Sequence, residues 1–301
     1  MSLNTDARTW ARMRARAERG PRRPLLPGRL GRFVQRRPLA ALGAAFLLAL
    51  LLIAIFAPWI APYAPDDYAD GVLVPPSWAH PFGIDHLGRD VFSRVIWGSR
   101  ISLWMGFLAV IIAVTVGTAL GVVAGYFGGI AEALTMRAAD IMMALPYVLL
   151  AVLIAGVLGP SLQTGIIAIG IVRIPRFARL ARASTLAVRG LTYIEAAHTI
   201  GAPHSRIILR EIMPNILGPI AVYATLSLGD AILAAAVLSF LGLGAQPPTP
   251  EWGAMLNDAQ QYLFSAPYLS ILPGVAIFLT VLSFNLIGDG MRDALDPKSK
   301  A

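Results

Sequence analysis

From Leu39 to Ile60 the chain reads LAALGAAFLLALLLIAIFAPWI, without a single charge. The hydrocarbon core of a bilayer is about 30 Å thick, and a helix rising about 1.5 Å per residue crosses it in about 20 residues. The run follows a basic tail, as a signal peptide would. It is longer than the ~7–15 apolar residues of a signal, so it reads as an uncleaved anchor. Composition agrees. The chain is 56% hydrophobic and 14% charged, whereas a soluble globule carries about 25% charged residues. With no cysteine in 301 residues, a disulfide framework and a thiolate metal site are both excluded.

Further spans are expected at Ile101–Tyr126, Ala139–Gly159, Leu162–Ala181, Ile216–Gly242 and Tyr268–Ile287, giving an all-α membrane protein of six transmembrane helices. Arg173, Pro175 and Arg176 fall inside the fourth. They are placed at its cytoplasmic end, where long Arg side chains snorkel to the interface. The net charge of +8 invites a nucleic-acid reading, but position decides against it. Eleven of the 25 basic residues precede Pro38, and seven more lie between Arg173 and Arg210. By the positive-inside rule both segments are cytoplasmic, and Lys298 and Lys300 return the C-terminus to that side. Ala61 to Arg100 opens with Asp66, Asp67 and Asp70, and Ala245 to Pro267 has no Lys or Arg; both are outside. Loop charge and span parity agree.

Gly117, Gly121 and Gly125 repeat every fourth residue in the second span, a stripe that lets helix backbones approach closely in lipid. It fits packing within the chain or a seam between subunits.

The cytoplasmic stretch YIEAAHTIGAPHSRIILREIMP, Tyr193 to Pro214, interrupts this apolar chain with a polar helix–glycine–helix. Thr192-x-x-Glu195 has the form of a capping box. Ala196, Ala197, His198 and Ile200 continue the helix, and Gly201 supplies a left-handed stop. Ala202-Pro203 opens a second helix presenting Ile207, Ile208 and Ile212, and Pro214 marks entry to the fifth span. The first helix is too short to be stable alone in water. It lies either against its own chain as a surface elbow or in a groove on a partner.

Glu195-Ala196-Ala197, Gly201 four positions on, and Met213-Pro214 resemble the EAA loop of type I ABC-importer permeases, with Glu211 departing from the commonest form. HPFGIDHLGRDVFSRVIWGSRISL (80–103), LSFLGLGAQPPTPEWGAML (238–256) and LTVLSFNLIGDGMRDALDP (279–297) are similar to the C-type permease subunit of dipeptide and oligopeptide importers. The resemblance implies a permease fold with a cytoplasmic coupling helix. Its segments would be a basic tail (1–38), a first transmembrane helix (39–60), an extracytoplasmic segment (61–100), a core (101–290, EAA loop 192–214) and a cytoplasmic C-terminus (291–301). Implied partners are a B-type permease, two ATP-binding subunits and an extracytoplasmic binding protein at the bacterial inner membrane. Peptides lead as cargo, ahead of nickel or glutathione-like solutes. Glu195, Ala196, Ala197, His198, Gly201 and Pro214 would couple to an ATPase.

The chain is not expected to be an enzyme or to hold a cofactor. A P-loop needs a Lys in its Gly-rich turn, and Lys298 and Lys300 are the only lysines. No Gly-x-Ser-x-Gly occurs, and the four His show no metal-binding spacing. His80 and His86 read as loop polar groups. Asp140 is expected to pair with Arg137 on its own helix. Asp230 sits in the fifth span with no sequence-local cation, so it should face a partner or a watery cavity and is a candidate for lining a pathway. Trp252, Tyr262 and Tyr268 suit an aromatic belt, and Gln246–Pro250 a stiff, extended loop. The alternative from another class, an ion-coupled secondary transporter, would show an inverted repeat and paired broken helices; neither is evident.

Overall fold

The structure is a computed structural model and describes residues 37–295. Most of the expected basic tail, together with Lys298 and Lys300, lies outside the described residues. Among the described residues the elements are helical, with two isolated β-bridges, Tyr68 to Arg89 and Ile84 to Asp90.

The first span is α1 (Pro38–Ile55), followed by the single turn α2 (Ala57–Ile60). The expected run breaks at Phe56, because Pro58 has no N–H for the carbonyl four residues back. A Cβ on Gly43 would stand 2.9 Å from the Ser283 carbonyl oxygen, so glycine there lets α1 lie directly on α10 (Tyr268–Leu295).

The helix α3 (Val91–Phe127) starts ten residues before the expected span, because the Asp90 carboxylate accepts the Ser93 N–H at 2.7 Å and fixes its N-terminus. It packs along α6 (Leu162–Arg189). The glycine stripe faces this seam, which settles it as packing within the chain. A Cβ on Gly117 would meet Phe177 Cβ at 2.6 Å, and one on Gly125 would meet the Arg182 carbonyl at 2.9 Å.

The third expected span is not one straight helix. Ala139–Gly159 takes in only the end of α4 (Gly129–Met143) together with α5 (Tyr147–Leu158), and the two helices meet at 94°. Pro146, with no N–H to donate, occupies the N-cap of α5. The fifth span extends toward its N-terminus into α8 (His204–Phe240), preceded by α7 (Thr192–Thr199). By length and apolarity α1, α3, α8 and α10 can each cross a membrane, and α4 with α5 makes five. The charged α6 does not meet that measure. The six-span expectation is thus met in four or five helices by composition alone.

A folded cap closes one end of the bundle. Trp252 opens α9 (Trp252–Ala259), is fully buried, and donates its indole N–H to the Val95 carbonyl at 3.0 Å. It rests on Gly98, where a Cβ would stand 2.9 Å from the indole. Trp252 is therefore core, not belt. Tyr268 is also tied down, its hydroxyl donating to the Val74 carbonyl at 3.0 Å, and Tyr262 stacks on His86. The fully buried Glu251 caps α9, accepting the Ala254 N–H and the Ser102 hydroxyl, each at 2.9 Å. Burial pushes its carboxyl above the usual range, against the donors that pull it down. The Gln246–Pro250 run turns back, closed by Thr249 N–H to the Gln246 carbonyl at 3.1 Å, and is not extended. His80 is bonded through Nδ1 to Asp90 at 2.8 Å.

Val95 and Tyr126 are both on α3, about 46 Å apart at helical rise. Tyr126 approaches α7 through His198, and Val95 holds Trp252. The separation exceeds the hydrocarbon thickness, and α7 and α9 lie at opposite ends of α3.

Candidate functional site

The helix α7 contributes one fully buried side chain, Ile194, to its own chain. Ala197 is half-buried, whereas Glu195, Ala196 and His198 are exposed and Ile200 is 83% exposed. The capping box does not form. Leu191 occupies the N-cap and Thr192 is the first helical residue, so its hydroxyl sits one position too late to cap. The Glu195 carboxylate makes no hydrogen bond or ion pair among the described residues. At the other end the expected stop is present. Gly201 has φ +73°, its N–H donates to the His198 carbonyl at 3.0 Å, and the Ala202 N–H donates to Ala197 at 3.0 Å. That pair of bonds is a Schellman closure, which needs a left-handed residue at Gly201.

Pro203 precedes α8 as its N-cap. Ile207–Ile212 then form a π-helical turn, with the Met213 N–H donating to Ile208, and Ile207 and Ile212 are fully buried. Pro214 follows in the first turn of the regular α-helical part of α8, Met213–Phe240, where the expectation placed the entry to the fifth span. It offers no N–H to the Arg210 carbonyl, so the wider turn adjoins the place where the regular ladder lapses.

Two contacts missed by sequence reasoning hold α7 to the bundle. The Tyr126 hydroxyl lies 3.4 Å from His198 Nε2 and 2.7 Å from His204 Nδ1. Asn215 donates to the Tyr193 hydroxyl at 3.0 Å. The sequence signal was an aromatic at the end of one span and two His flanking the glycine, a pattern common enough to go unread.

Nearby, Arg182 Nε donates to Glu132 at 2.7 Å and Arg179 pairs with Asp140. The expected Arg137–Asp140 pair gives way to this interhelical one because α4 packs against α6. Asp230 stands about 24 Å along α8 from Pro214, so the structure does not bring it to the α7 cluster. Its cation is non-local, Arg173 Nη1 at 4.0 Å. Arg173 is buried and not snorkelling at a helix end.

Residues 117–301 match the family model described as binding-protein-dependent transport system inner membrane component. The chain belongs to that family. Residues 32–76 of the permease match the N-terminal TM domain of oligopeptide transport permease C. It is 50% identical over 268 residues to the glutathione transport system permease protein GsiD of Escherichia coli O1:K1, covering 88% of each chain. To the protein of that name from Pectobacterium atrosepticum it is 46% identical, covering 88% of this chain and 89% of the relative. Its fold is similar to a chain of the inward-facing MetNI methionine ABC transporter, with TM-score 0.54 at 21% identity, covering 68% of this chain and 97% of that one. A chain of an amino acid ABC transporter with histidines gives TM-score 0.51 at 18% identity, covering 68% and 95%. The permease is a multi-pass transport component of a type I ABC importer, not an enzyme.

Proposed function

We propose that the permease lines half of the route by which small peptides of the glutathione type enter the cell, and that α7 is the part an ATPase grips. The observation that carries the proposal is that Ile194 is the one fully buried side chain of α7, while Glu195, Ala196 and Ile200 are left uncovered. Eight residues do not hold a helix in water, so a groove on a neighbour would complete it.

In this reading the partners are a B-type permease, two ATP-binding subunits and an extracytoplasmic binding protein. The end bearing α7, Arg182 and Arg189 faces the cytoplasm and the acidic loop faces outward, in keeping with the charge rule. Both termini are then cytoplasmic. Closure of the ATPases would shift α7, and the shift would pass through Tyr126 to α3 and through Asn215 to α8. Packed helices have discrete arrangements, so a small displacement can switch the bundle between states. The π-helical turn before Pro214 is where α8 would give.

The chain has no cysteine, which makes an Ala196→Cys label unique. In inner-membrane vesicles with the cytoplasmic face out, an impermeant thiol reagent should label it, and a short crosslinker should join it to an ATPase subunit. Labelling only from the opposite face, or crosslinking only to the permease itself, would refute the proposal.

A further inference from the structure

At mid-depth in the bundle, two helices, α6 and α8, place charge together beside Tyr147 of α5. Arg173 lies about 17 Å along α6 from Leu162. It is 5% exposed, and its Nε has no hydrogen-bond partner among the described residues. Its guanidinium points at Asp230 on α8, and the 4.0 Å gap is an ion-pair contact wider than a hydrogen bond. Asp230 is itself open, with 55% of its side chain exposed. One turn on from Arg173, the exposed Arg176 lies over the Tyr147 ring of α5 at 5.8 Å. Tyr147, Tyr223 and Arg176 all lie within electrostatic reach of Arg173.

A pair that served architecture alone would be closed to hydrogen-bond distance and covered, since an incompletely paired buried charge is costly. Here the arginine is buried and under-bonded, and the carboxylate it faces is exposed. Charges at this depth face water or a partner and mark substrate paths. A guanidinium takes a carboxylate with two parallel hydrogen bonds, and a carboxylate takes an ammonium. Two guanidiniums and one carboxylate therefore complement a molecule with two carboxylates and one amine.

We propose that Arg173, Arg176 and Asp230 form a contact site for a small peptide carrying more carboxylates than amines, the two arginines taking its carboxylates and Asp230 its ammonium. The assignment rests on the permease reading above and names the cargo class it would select. Pathway residues of this kind act after the binding protein has released its cargo.

The test uses the full complex in proteoliposomes, with glutathione and its diethyl ester as probes. Each uptake is referred to that of the wild-type chain, so the binding protein's own preference cancels. Arg173→Gln should reduce glutathione uptake at least tenfold and ester uptake less than twofold. Arg176→Gln, at an exposed position that folding tolerates, should shift the same ratio about threefold, and it carries the test if Arg173→Gln does not assemble. Equal losses for both probes, or full recovery of glutathione uptake in the charge-swapped Arg173→Asp/Asp230→Arg chain, would make the pair architectural and overturn the assignment while leaving the permease reading standing. A wild-type complex that moves neither probe overturns that reading, and the assignment with it.

Discussion

Tyr126, the last but one residue of α3, and His204, the first of α8, hold each other at 2.7 Å, and His198 of α7 reaches the same hydroxyl at 3.4 Å. One phenol thus joins the ends of three helices beside the segment proposed to receive force. Its rings are close as well, with Tyr126 stacked on His198 at 5.9 Å and edge-on to His204 at 5.5 Å.

Tyr126→Phe keeps those ring contacts and removes the hydroxyl. A hydrogen bond is worth about 1 kcal/mol net, so the chain should insert and assemble normally. α7 should be looser: we expect ATP-driven uptake to fall about fivefold and amide exchange in residues 192–201 to quicken. Unchanged exchange would show that the phenol does not tether α7.

Gly201→Val puts a β-branched residue at φ +73°. Nothing lies within 4 Å of a Cβ there, so the penalty is backbone strain alone, about 1–2 kcal/mol or more for a branched side chain. Membrane insertion should persist while uptake is lost. Normal uptake by a well-expressed variant would count against α7 as the coupling element.

Gly121→Leu tests the α3–α6 seam. An added Cβ on Gly121 would run into the Ala178 carbonyl and stand 2.7 Å from Ala181 Cβ. Backbone cannot yield as a side-chain tip can, so thermal stability in detergent should collapse. Gly190→Ala is the control, since its φ is −79° and nothing crowds it; its melting temperature should match wild type within error.

Glu251 supplies a pH prediction. Its folded pKa is raised from 4.5, first by burial. Stability from a raised carboxyl is present in full below the unfolded value and is lost as pH rises through the folded value. Glu251→Gln keeps an oxygen for the Ala254 N–H and never ionises. Its melting temperature relative to wild type should therefore climb as pH rises above 4.5, and a flat difference from pH 4 to 8 would contradict the buried-carboxylate account. Glu251→Ala loses the cap and takes from the Ser102 O–H its carboxylate acceptor, and should destabilise by about 1–3 kcal/mol.

Much of the architecture could be read along the chain. Leu39–Ile60 announces a membrane helix because backbone and apolar side chains in lipid demand one, whatever surrounds them. The stripe at Gly117, Gly121 and Gly125 marks one helix face by spacing, and Gly201 marks a helix end by the one conformation it permits. Each is a local property of a few neighbouring residues. The Thr192 capping box failed on the same ground: its pattern was local, but the helix began one residue earlier, and a one-residue shift moves a side chain by a hundred degrees around the axis.

Other features depended on residues far apart in sequence. Nothing near Asp230 names Arg173, nothing near Trp252 names Gly98 and Val95, and Asp140 takes Arg179 over the nearer Arg137. The sequence by itself determined which segments are lipid-compatible, where the glycine face lies and where the polar helix stops, because apolar length and backbone freedom are carried by each stretch alone. Only the tertiary structure decided that α4 and α5 meet at 94°, that Tyr126 is the joint and that a buried arginine opens onto Asp230. Those outcomes are set by which helices pack together, and packing is chosen by complementarity of surfaces that the chain brings into contact only once it has folded.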